Sequence, residues 1–119
     1  MSVDIARVYD EKGQDPRGRI LVDRLWPRGL ARADAPFEWW AKDAAPSTEL
    51  RKWYDHVPER FEEFGRRYRI ELTASPGREA VNELRRESKA GPIVLLTATK
   101  DLRISGAAVL GHVVADKRH

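Results

Sequence analysis

Two uninterrupted apolar runs constrain the fold of this chain more than any other feature. They lie within "RILVDRLW" (19–26) and "IVLLTAT" (93–99), where isoleucine, leucine and valine follow one another without a polar break. Such runs are typical of strands that are buried on both faces, as in parallel sheets. Because helix-like segments separate them along the chain, we predict that 20–26 and 93–99 are parallel neighbours in one sheet.

The segments around these two runs complete an α/β pattern. "IARVYD" (5–10) alternates enough to predict a further strand, and residues 30–46 are predicted to be a loop with a short helical turn in "PFEWWAKD". Helix capping signals and apolar periodicity predict further elements. The predicted helices cover 47–56, 58–72, 75–90 and 104–116.

We therefore predict a single compact α/β domain over residues 1–119, with a small, at least partly parallel sheet flanked by helices. A chain of this length can bury a core without a metal or a disulfide. The core is expected to include one stripe of apolar side chains on the second helix. The stripe consists of Phe61, Phe64, Tyr68 and Leu72.

Composition excludes several classes of protein. The chain has no cysteine, which excludes disulfides, thiolate catalysis and cysteine-rich zinc sites, and its three histidines lack the spacing of metal ligands. We expect neither a metal nor a cofactor. No apolar run approaches the roughly 18 residues of a membrane span, and the N-terminus lacks the features of a signal peptide. A cytoplasmic location without membrane contact is expected.

The charge of the chain is mildly basic. Its 22 Lys+Arg and 19 Asp+Glu give a net charge of +3, and the excess is spread along the sequence. Since nucleic-acid-binding proteins usually concentrate basic residues in a stripe, we expect weak or no binding to nucleic acid. The charge permits an acidic ligand without requiring one, and no oligomeric state is indicated.

Polar residues follow both of the predicted buried strands. In open α/β sheets, ligands bind beyond the carboxyl ends of the strands, and parallel pairing would bring these two polar groups together. Arginine forks suit phosphate and carboxylate groups, so we predict a cleft that binds a compact anion. The residues concerned are Asp23, Arg24, Trp26 and Arg28 after the first strand, and Lys100 and Asp101 after the second.

Asp23 and Lys100 are the candidate catalytic residues of this cleft. A carboxylate that is buried without a full partner has a raised pKa and can act as a base, whereas a paired one would only hold an arginine or cap a loop. Lys100 either faces the same pocket or belongs to a solvated turn. Because the chain has no Gly-rich phosphate loop and no Gly-x-Ser-x-Gly elbow, catalysis would depend on acidic residues, lysine, tyrosine or an activated water.

Arg24 and Arg28 are assigned to ligand binding, with an internal ion-pair network with Asp23, Asp34 or Glu71 as the alternative. Trp26 is expected to line the core or the cleft, where an arginine over its ring would form a favourable cation–π contact. Asp101 is assigned to ligand binding, and a solvated turn is its alternative.

The central helices contribute further candidates for ligand binding. Ser47 is predicted to be a helix N-cap, and the N-terminus of its helix could also bind an anion with help from Arg51, one turn along. Tyr68 and Glu71 lie three residues apart on one helix and are expected to face the cleft together. The alternative for Tyr68 is burial with its hydroxyl group hydrogen-bonded.

Five segments carry a resemblance to a known family: "RVYD" (7–10), "GRILVDRLWPRG" (18–29), "APSTELRKWY" (45–54), "EFGRRYRIEL" (63–72) and "VLLTATKD" (94–101). Together they resemble the YeaO-like members of the bacterial domain-of-unknown-function family 488 over nearly the whole chain. The resemblance implies a compact α/β fold and brings no established activity. The motif residues it carries over are Asp23, Arg24, Trp26, Pro27, Arg28, Gly29, Ser47, Leu50, Arg51, Phe64, Tyr68, Glu71, Leu72, Lys100 and Asp101.

One segment departs from the family pattern. The resemblance implies a Cys-His-Arg cluster before the last helix in longer relatives and an asparagine there in YeaO-like members. Here the segment is "RISG" (103–106), which has neither. A reaction that depends on that cluster is not expected in this chain, and Ser105 is expected to retain a helix cap or one ligand hydrogen bond.

Three functional interpretations remain open at this point. The first is a domain that binds a nucleotide or another phosphorylated metabolite, with hydrolysis or transfer of it without a metal. The second is a non-catalytic module that binds nucleic acid or a protein, and in the third the 23–29 motif only stabilises the fold. A concave pocket lined by the arginines would favour the first interpretation. Tryptophans that point outward from a flat basic face would favour the second, and a fully paired network of charges would favour the third.

Overall fold

A parallel sheet forms the centre of the molecule. The computed structural model describes residues 3–11 and 16–116, and within them four strands pair in the order β1-β4-β2-β3. All three pairings are parallel. The strands are β1 (Val3–Arg7), β2 (Gly18–Leu21), β3 (Trp39–Trp40) and β4 (Ile93–Thr97). The predicted fold class, a small parallel sheet with flanking helices, is confirmed.

The helices follow the predicted order, with somewhat shorter bounds. The α-helices are α1 (Thr48–Tyr54), α2 (Phe61–Glu71), α3 (Gly77–Ala90) and α4 (Gly106–Ala115). Short 3-10 turns cover Arg32–Asp34, Lys42–Ala44, Pro58–Arg60 and Leu102–Ile104. None of the helices in the described ranges is long and apolar enough to cross a membrane.

The predicted pairing of the two apolar runs is confirmed. Ile20 lies opposite Leu95 and Leu21 opposite Leu96 in the β2–β4 ladder. All five residues of β4 are buried, since this strand lies between β1 and β2. The carboxyl ends of β2 and β4 therefore meet at one edge of the sheet, which is the geometry that a shared cleft requires.

The interpretation of "PFEWWAKD" as a helical turn was wrong for its two tryptophans. Trp39 and Trp40 form a short parallel strand against Ile20 and Leu21. Backbone hydrogen bonds continue on both sides of this pairing, including one of 2.8 Å from Ala41 N to Leu21 O. A two-residue strand has no periodicity of its own, so only pairing with β2 defines it. The 3-10 turn begins after it, at Lys42.

The apolar stripe of α2 faces the core as predicted. Phe64, Tyr68 and Leu72 are buried, and Phe61 is partly buried against them. The ring of Phe64 stacks on that of Tyr54 with centroids 4.2 Å apart. This aromatic packing joins α1 to α2 and fixes the helices next to the carboxyl edge of the sheet.

Candidate functional site

A cleft of about 710 Å³ opens at the carboxyl ends of β2 and β4. Small-molecule sites usually enclose roughly 300–1,000 Å³, so a compact organic ligand fits this space. Three segments form its walls: 22–28 after β2, 98–101 after β4, and 104–107 at the start of α4. Phe64 and Tyr54 contribute aromatic surface from the helices.

The structure brings most of the predicted site residues together in this cleft. Those that line it are Asp23, Arg24, Trp26, Arg28, Arg51, Lys100 and Asp101. Those that lie outside its lining are Ser47, Tyr68 and Glu71. These three residues form hydrogen bonds behind the cleft wall: Ser47 donates to Glu71, and Tyr68 donates to Ala44 O.

Asp23 joins the ends of the two strands. Its carboxylate accepts hydrogen bonds from the Thr97 hydroxyl at 2.7 Å and from the Ala98 backbone N–H at 2.8 Å. Burial raises the pKa of Asp23, although the bonds from Ala98 and Thr97 and the nearby His56 act in the opposite direction. Within residues 3–11 and 16–116, neither Arg24 nor Arg28 forms an ion pair with Asp23, Asp34 or Glu71, so the alternative of an internal ion-pair network does not describe this motif.

Arg24 donates its hydrogen bonds to backbone carbonyls. Its Nε lies 2.9 Å from Pro46 O, and a terminal nitrogen lies 3.2 Å from Ala45 O. A planar guanidinium can hold two adjacent carbonyls in this way because its donors have a fixed geometry. Arg24 therefore fixes the turn before α1, although part of its side chain also lines the cleft.

The same turn is held from the other side by α2. We call residues 44–47 the anchored turn. Tyr68 donates its hydroxyl hydrogen bond to Ala44 O, and Glu71 accepts from the Ser47 backbone N–H at 2.8 Å and from the Ser47 hydroxyl at 2.6 Å. Burial raises the pKa of Tyr68, so its phenol remains a donor. The hydroxyl of Ser47 also accepts from Leu50 N at 3.1 Å, which confirms the predicted N-cap.

Arg28 and Lys100 have exposed side chains on the cleft wall. Among residues 3–11 and 16–116, no side-chain hydrogen bond or ion pair engages either cationic group. The backbone of Arg28 is fixed, because the Tyr9 hydroxyl donates to its carbonyl oxygen at 2.7 Å. These two cations thus face the cleft with unused donors, and Arg28 does so from a fixed backbone.

Arg51 adds a third cation to the cleft. It is half-buried, and within the described part of the chain no group accepts a hydrogen bond from its buried Nε. A buried donor without an acceptor costs free energy, and Arg51 also lines the cleft. Arg51 lies on α1, so the anchored turn at the start of that helix sets its position.

The start of α4 completes the positive surroundings. Ser105 caps the helix, because its hydroxyl accepts from Ala108 N at 3.1 Å; this confirms the cap expected from the "RISG" segment. The positive end of the α4 dipole therefore lies at the cleft. Asp101 is turned toward Arg103, whose hydrogen bonds lower the pKa of that carboxyl. Its charge is thus partly compensated outside the cleft.

Trp26 supports the loop that carries the motif. Its indole N–H donates to Leu30 O at 2.7 Å, and its ring meets Phe37 and Trp40 edge to face at 5.4 and 5.6 Å. The cation over its ring is Arg32, at 4.6 Å from the centroid. The expected cation–π contact with Trp26 is therefore present, and Arg32 makes it.

Sequence reasoning missed several residues that line the cleft. His56 reaches it from a left-handed turn in which Asp55 and His56 have φ values of 49° and 55°. Tyr54 donates its hydroxyl to Ile104 O at 2.5 Å, which connects α1 to the turn before α4. Only the end of the predicted helix at 56 hinted at this turn, and no local pattern indicated that it faces the sheet edge. The described ranges contain no cluster of three His, Asp or Glu side chains that could hold a metal ion.

Comparisons with known proteins agree with the resemblance seen in the motifs. A family model described as "Inactive DUF488-N3 subclade" matches residues 2–119. The uncharacterized protein Rv3073c of Mycobacterium tuberculosis (strain ATCC 25618 / H37Rv) is 45% identical over 112 residues, which cover 94% of this chain and 92% of that protein. The uncharacterized protein YeaO of Escherichia coli (strain K12) is 36% identical over 110 residues, covering 92% of this chain and 94% of that protein. No solved structure matches the chain.

Proposed function

The chain belongs to the inactive DUF488-N3 subclade, and from this premise we propose that it is a binding domain for a compact anion, such as a nucleotide or another phosphorylated metabolite. The observation that carries the proposal is the set of three cations, Arg28, Arg51 and Lys100, with unused donors around one concave cleft. Charge-assisted hydrogen bonds to phosphate or carboxylate are among the strongest that such groups form.

The surroundings of Asp23 favour binding without turnover. Both oxygens of this carboxylate already accept hydrogen bonds from the neighbouring strand. The description of the family model as inactive points the same way. Metal-independent hydrolysis or transfer by Asp23 and Lys100 is the competing proposal, and the raised pKa of Asp23 is the observation that favours it.

A nucleic-acid- or protein-binding module has less support. The rings of Trp26, Trp40 and Trp53 each lie against a cation of the same chain, which leaves them less free to stack on bases. The cations of the cleft line a concavity, whereas duplex binding uses a broad basic surface.

Isothermal titration calorimetry with inorganic phosphate and adenosine monophosphate tests the proposal. We expect Arg28→Ala and Lys100→Ala each to weaken binding about tenfold or more, since a hydrogen bond between charged groups is lost. Arg86→Ala is the matched control, because Arg86 is an exposed arginine on α3 that pairs only with Glu83 among the described residues. It should leave the affinity unchanged.

Two outcomes would contradict the proposal. One is that the parent protein binds neither anion at millimolar concentration, and the other is that Arg86→Ala weakens binding as much as Arg28→Ala does. Chromatography of the same mixtures separates binding from turnover. A product that forms with the parent protein but not with Asp23→Asn would favour the hydrolase or transferase instead.

A further inference from the structure

Exposed apolar side chains mark the rim of the cleft. Within residues 3–11 and 16–116, the large hydrophobic side chains that are exposed are Tyr9, Leu25 and Ile70. Tyr9 and Leu25 both line the cleft, whereas Ile70 lies on α2 outside it. Leu25 is 58% exposed, so much of its side chain could still be removed from water by a ligand.

The rim is held in place before any ligand arrives. The Tyr9 ring is fixed at one end by the hydrogen bond to Arg28 O, and the Arg7 guanidinium carbon lies 5.2 Å from its centroid. Pro27, two residues after Leu25, is buried. A preformed apolar surface loses little conformational entropy on binding. Through Tyr9, this surface is directly connected to the backbone of a cleft cation.

The interior of the cleft continues the apolar character of the rim. Val22, Phe64 and Ala107 are buried residues that border it. An inorganic anion occupies a small part of a space of about 710 Å³ and would leave these surfaces in contact with water. The cleft therefore combines unused cations with an apolar surface that a larger ligand would cover.

This inference rests on the proposed anion site: we propose that the ligand is a phosphomonoester that carries an aromatic ring system, the chemical class of aryl phosphates and nucleoside monophosphates. Its phosphate group binds among Arg28, Arg51 and Lys100, and its body lies against Leu25 and Tyr9. A sugar phosphate without an aromatic ring would place hydroxyl groups against Leu25, and an inorganic polyphosphate would place charge there. Both arrangements lose the gain from apolar burial.

A protein partner fits these observations less well. A stable protein interface buries about 800 Å² on each partner, whereas the exposed apolar surface here consists of two side chains on the rim of a concavity. Concave sites with a few convergent polar groups are typical of small molecules.

The test compares three phosphates by isothermal titration calorimetry at one ionic strength: adenosine monophosphate, glucose 6-phosphate and inorganic phosphate. We expect the parent protein to bind adenosine monophosphate about tenfold more tightly than the other two. Leu25→Ala should weaken binding of adenosine monophosphate about 3- to 10-fold and leave inorganic phosphate unchanged. The matched control is Ile70→Ala, since Leu25 and Ile70 are 58% and 56% exposed; it should alter neither affinity.

The outcomes separate this inference from the proposed function. Equal affinity for all three phosphates, or an equal effect of Leu25→Ala on adenosine monophosphate and inorganic phosphate, would overturn the inference and leave the anion site standing. Adenosine is a further ligand for the same titration. If it binds as tightly as adenosine monophosphate, and Arg28→Ala has no effect on either affinity, the anion site and this inference are both overturned. Thermal unfolding of Leu25→Ala should match that of the parent, which excludes misfolding as the cause of any loss.

Discussion

Arg24 and Arg28 lie four residues apart in one motif, yet the structure uses them in opposite ways. Arg24 donates two hydrogen bonds to the carbonyls of the anchored turn. The side chain of Arg28 is exposed on the cleft wall, without a partner among the described residues. The comparison shows that a conspicuous cluster of arginines can contain both a structural residue and a candidate ligand contact.

The difference arises from the backbone groups within reach of each side chain. The anchored turn connects the end of a 3-10 turn to α1, and its Ser47 carbonyl accepts from Arg51 N in that helix. Within the described ranges, the carbonyls of Ala44, Ala45 and Pro46 accept no such backbone hydrogen bond. Because Ala44 and Ala45 are buried, their oxygens need donors from side chains. Arg24 and Tyr68 supply those donors. Arg28 faces no such acceptor and is therefore available to a ligand.

Phe64→Ala is expected to have the largest effect on stability, because this side chain belongs both to the packed core and to the cleft wall. Its ring packs between Tyr54 and Tyr68, with centroids 4.2 and 5.6 Å away, and also borders the cleft. Truncation should lower the free energy of unfolding by about 3–5 kcal/mol, measured by urea denaturation. Ile70→Ala on the exposed face of the same helix should change it by less than about 0.5 kcal/mol. A loss below about 1 kcal/mol for Phe64→Ala would show that this aromatic packing contributes little to the stability of the fold.

Arg24→Ala tests the contrast between the two arginines directly. It removes both donors from Ala45 and Pro46, so we expect the free energy of unfolding to fall by about 2–3 kcal/mol. Arg28→Ala should cost about 0–1 kcal/mol, since exposed charges contribute little to stability. Both can be measured by chemical denaturation in the absence of ligand. Equal losses in the two variants would remove the distinction between a structural and a free arginine.

Arg24→Lys tests whether the charge of Arg24 or the geometry of its guanidinium group stabilises the anchored turn. A lysine retains the charge, but its ammonium group cannot reproduce the planar fork that reaches two carbonyls at once. We expect it to restore only part of the stability that Arg24→Ala loses, in the same denaturation experiment. Full restoration would mean that charge, and not the geometry of the fork, holds the anchored turn.

Asp23→Asn should have the smallest effect, and it should depend on pH. Because burial raises the pKa of Asp23 above its ordinary value of 3.8, the folded protein holds this proton more tightly than the unfolded chain does. The contribution of Asp23 to stability is therefore greatest below pH 3.8 and declines as the pH rises through its raised pKa. The substituted amide can accept from Ala98 N–H and donate to the Thr97 hydroxyl oxygen, so the local hydrogen bonds can persist.

The measurement is the free energy of unfolding of the parent and of Asp23→Asn at a series of pH values above about 4, because the direction of the pH dependence is what the raised pKa predicts. The stability of the variant relative to the parent should increase as the pH rises through that range. A relative stability that falls with rising pH would mean that the hydrogen bonds from Thr97 and Ala98 outweigh burial at this carboxylate.

Local patterns predicted much of the fold and some of the site. The apolar content of the two central strands indicated their parallel pairing, and the Ser47 and Ser105 caps were visible beside the helices they begin. The position of several polar residues at the carboxyl ends of β2 and β4 followed from that pairing. These features depend on residues close together in sequence or on a periodicity that a single segment shows by itself.

Local sequence patterns were enough to predict the order of the helices, the two central buried strands and the edge of the sheet at which the cleft forms. Which polar side chains form hydrogen bonds within the protein depends instead on the tertiary fold. Arg24 reaches carbonyls more than twenty residues away, and Asp23 accepts from Thr97 and Ala98 at the end of another strand. Arg28, in the same motif, meets no acceptor in the described part of the chain. A hydrogen bond depends on two groups lying about 3 Å apart in space, and no local pattern in the sequence contains that distance.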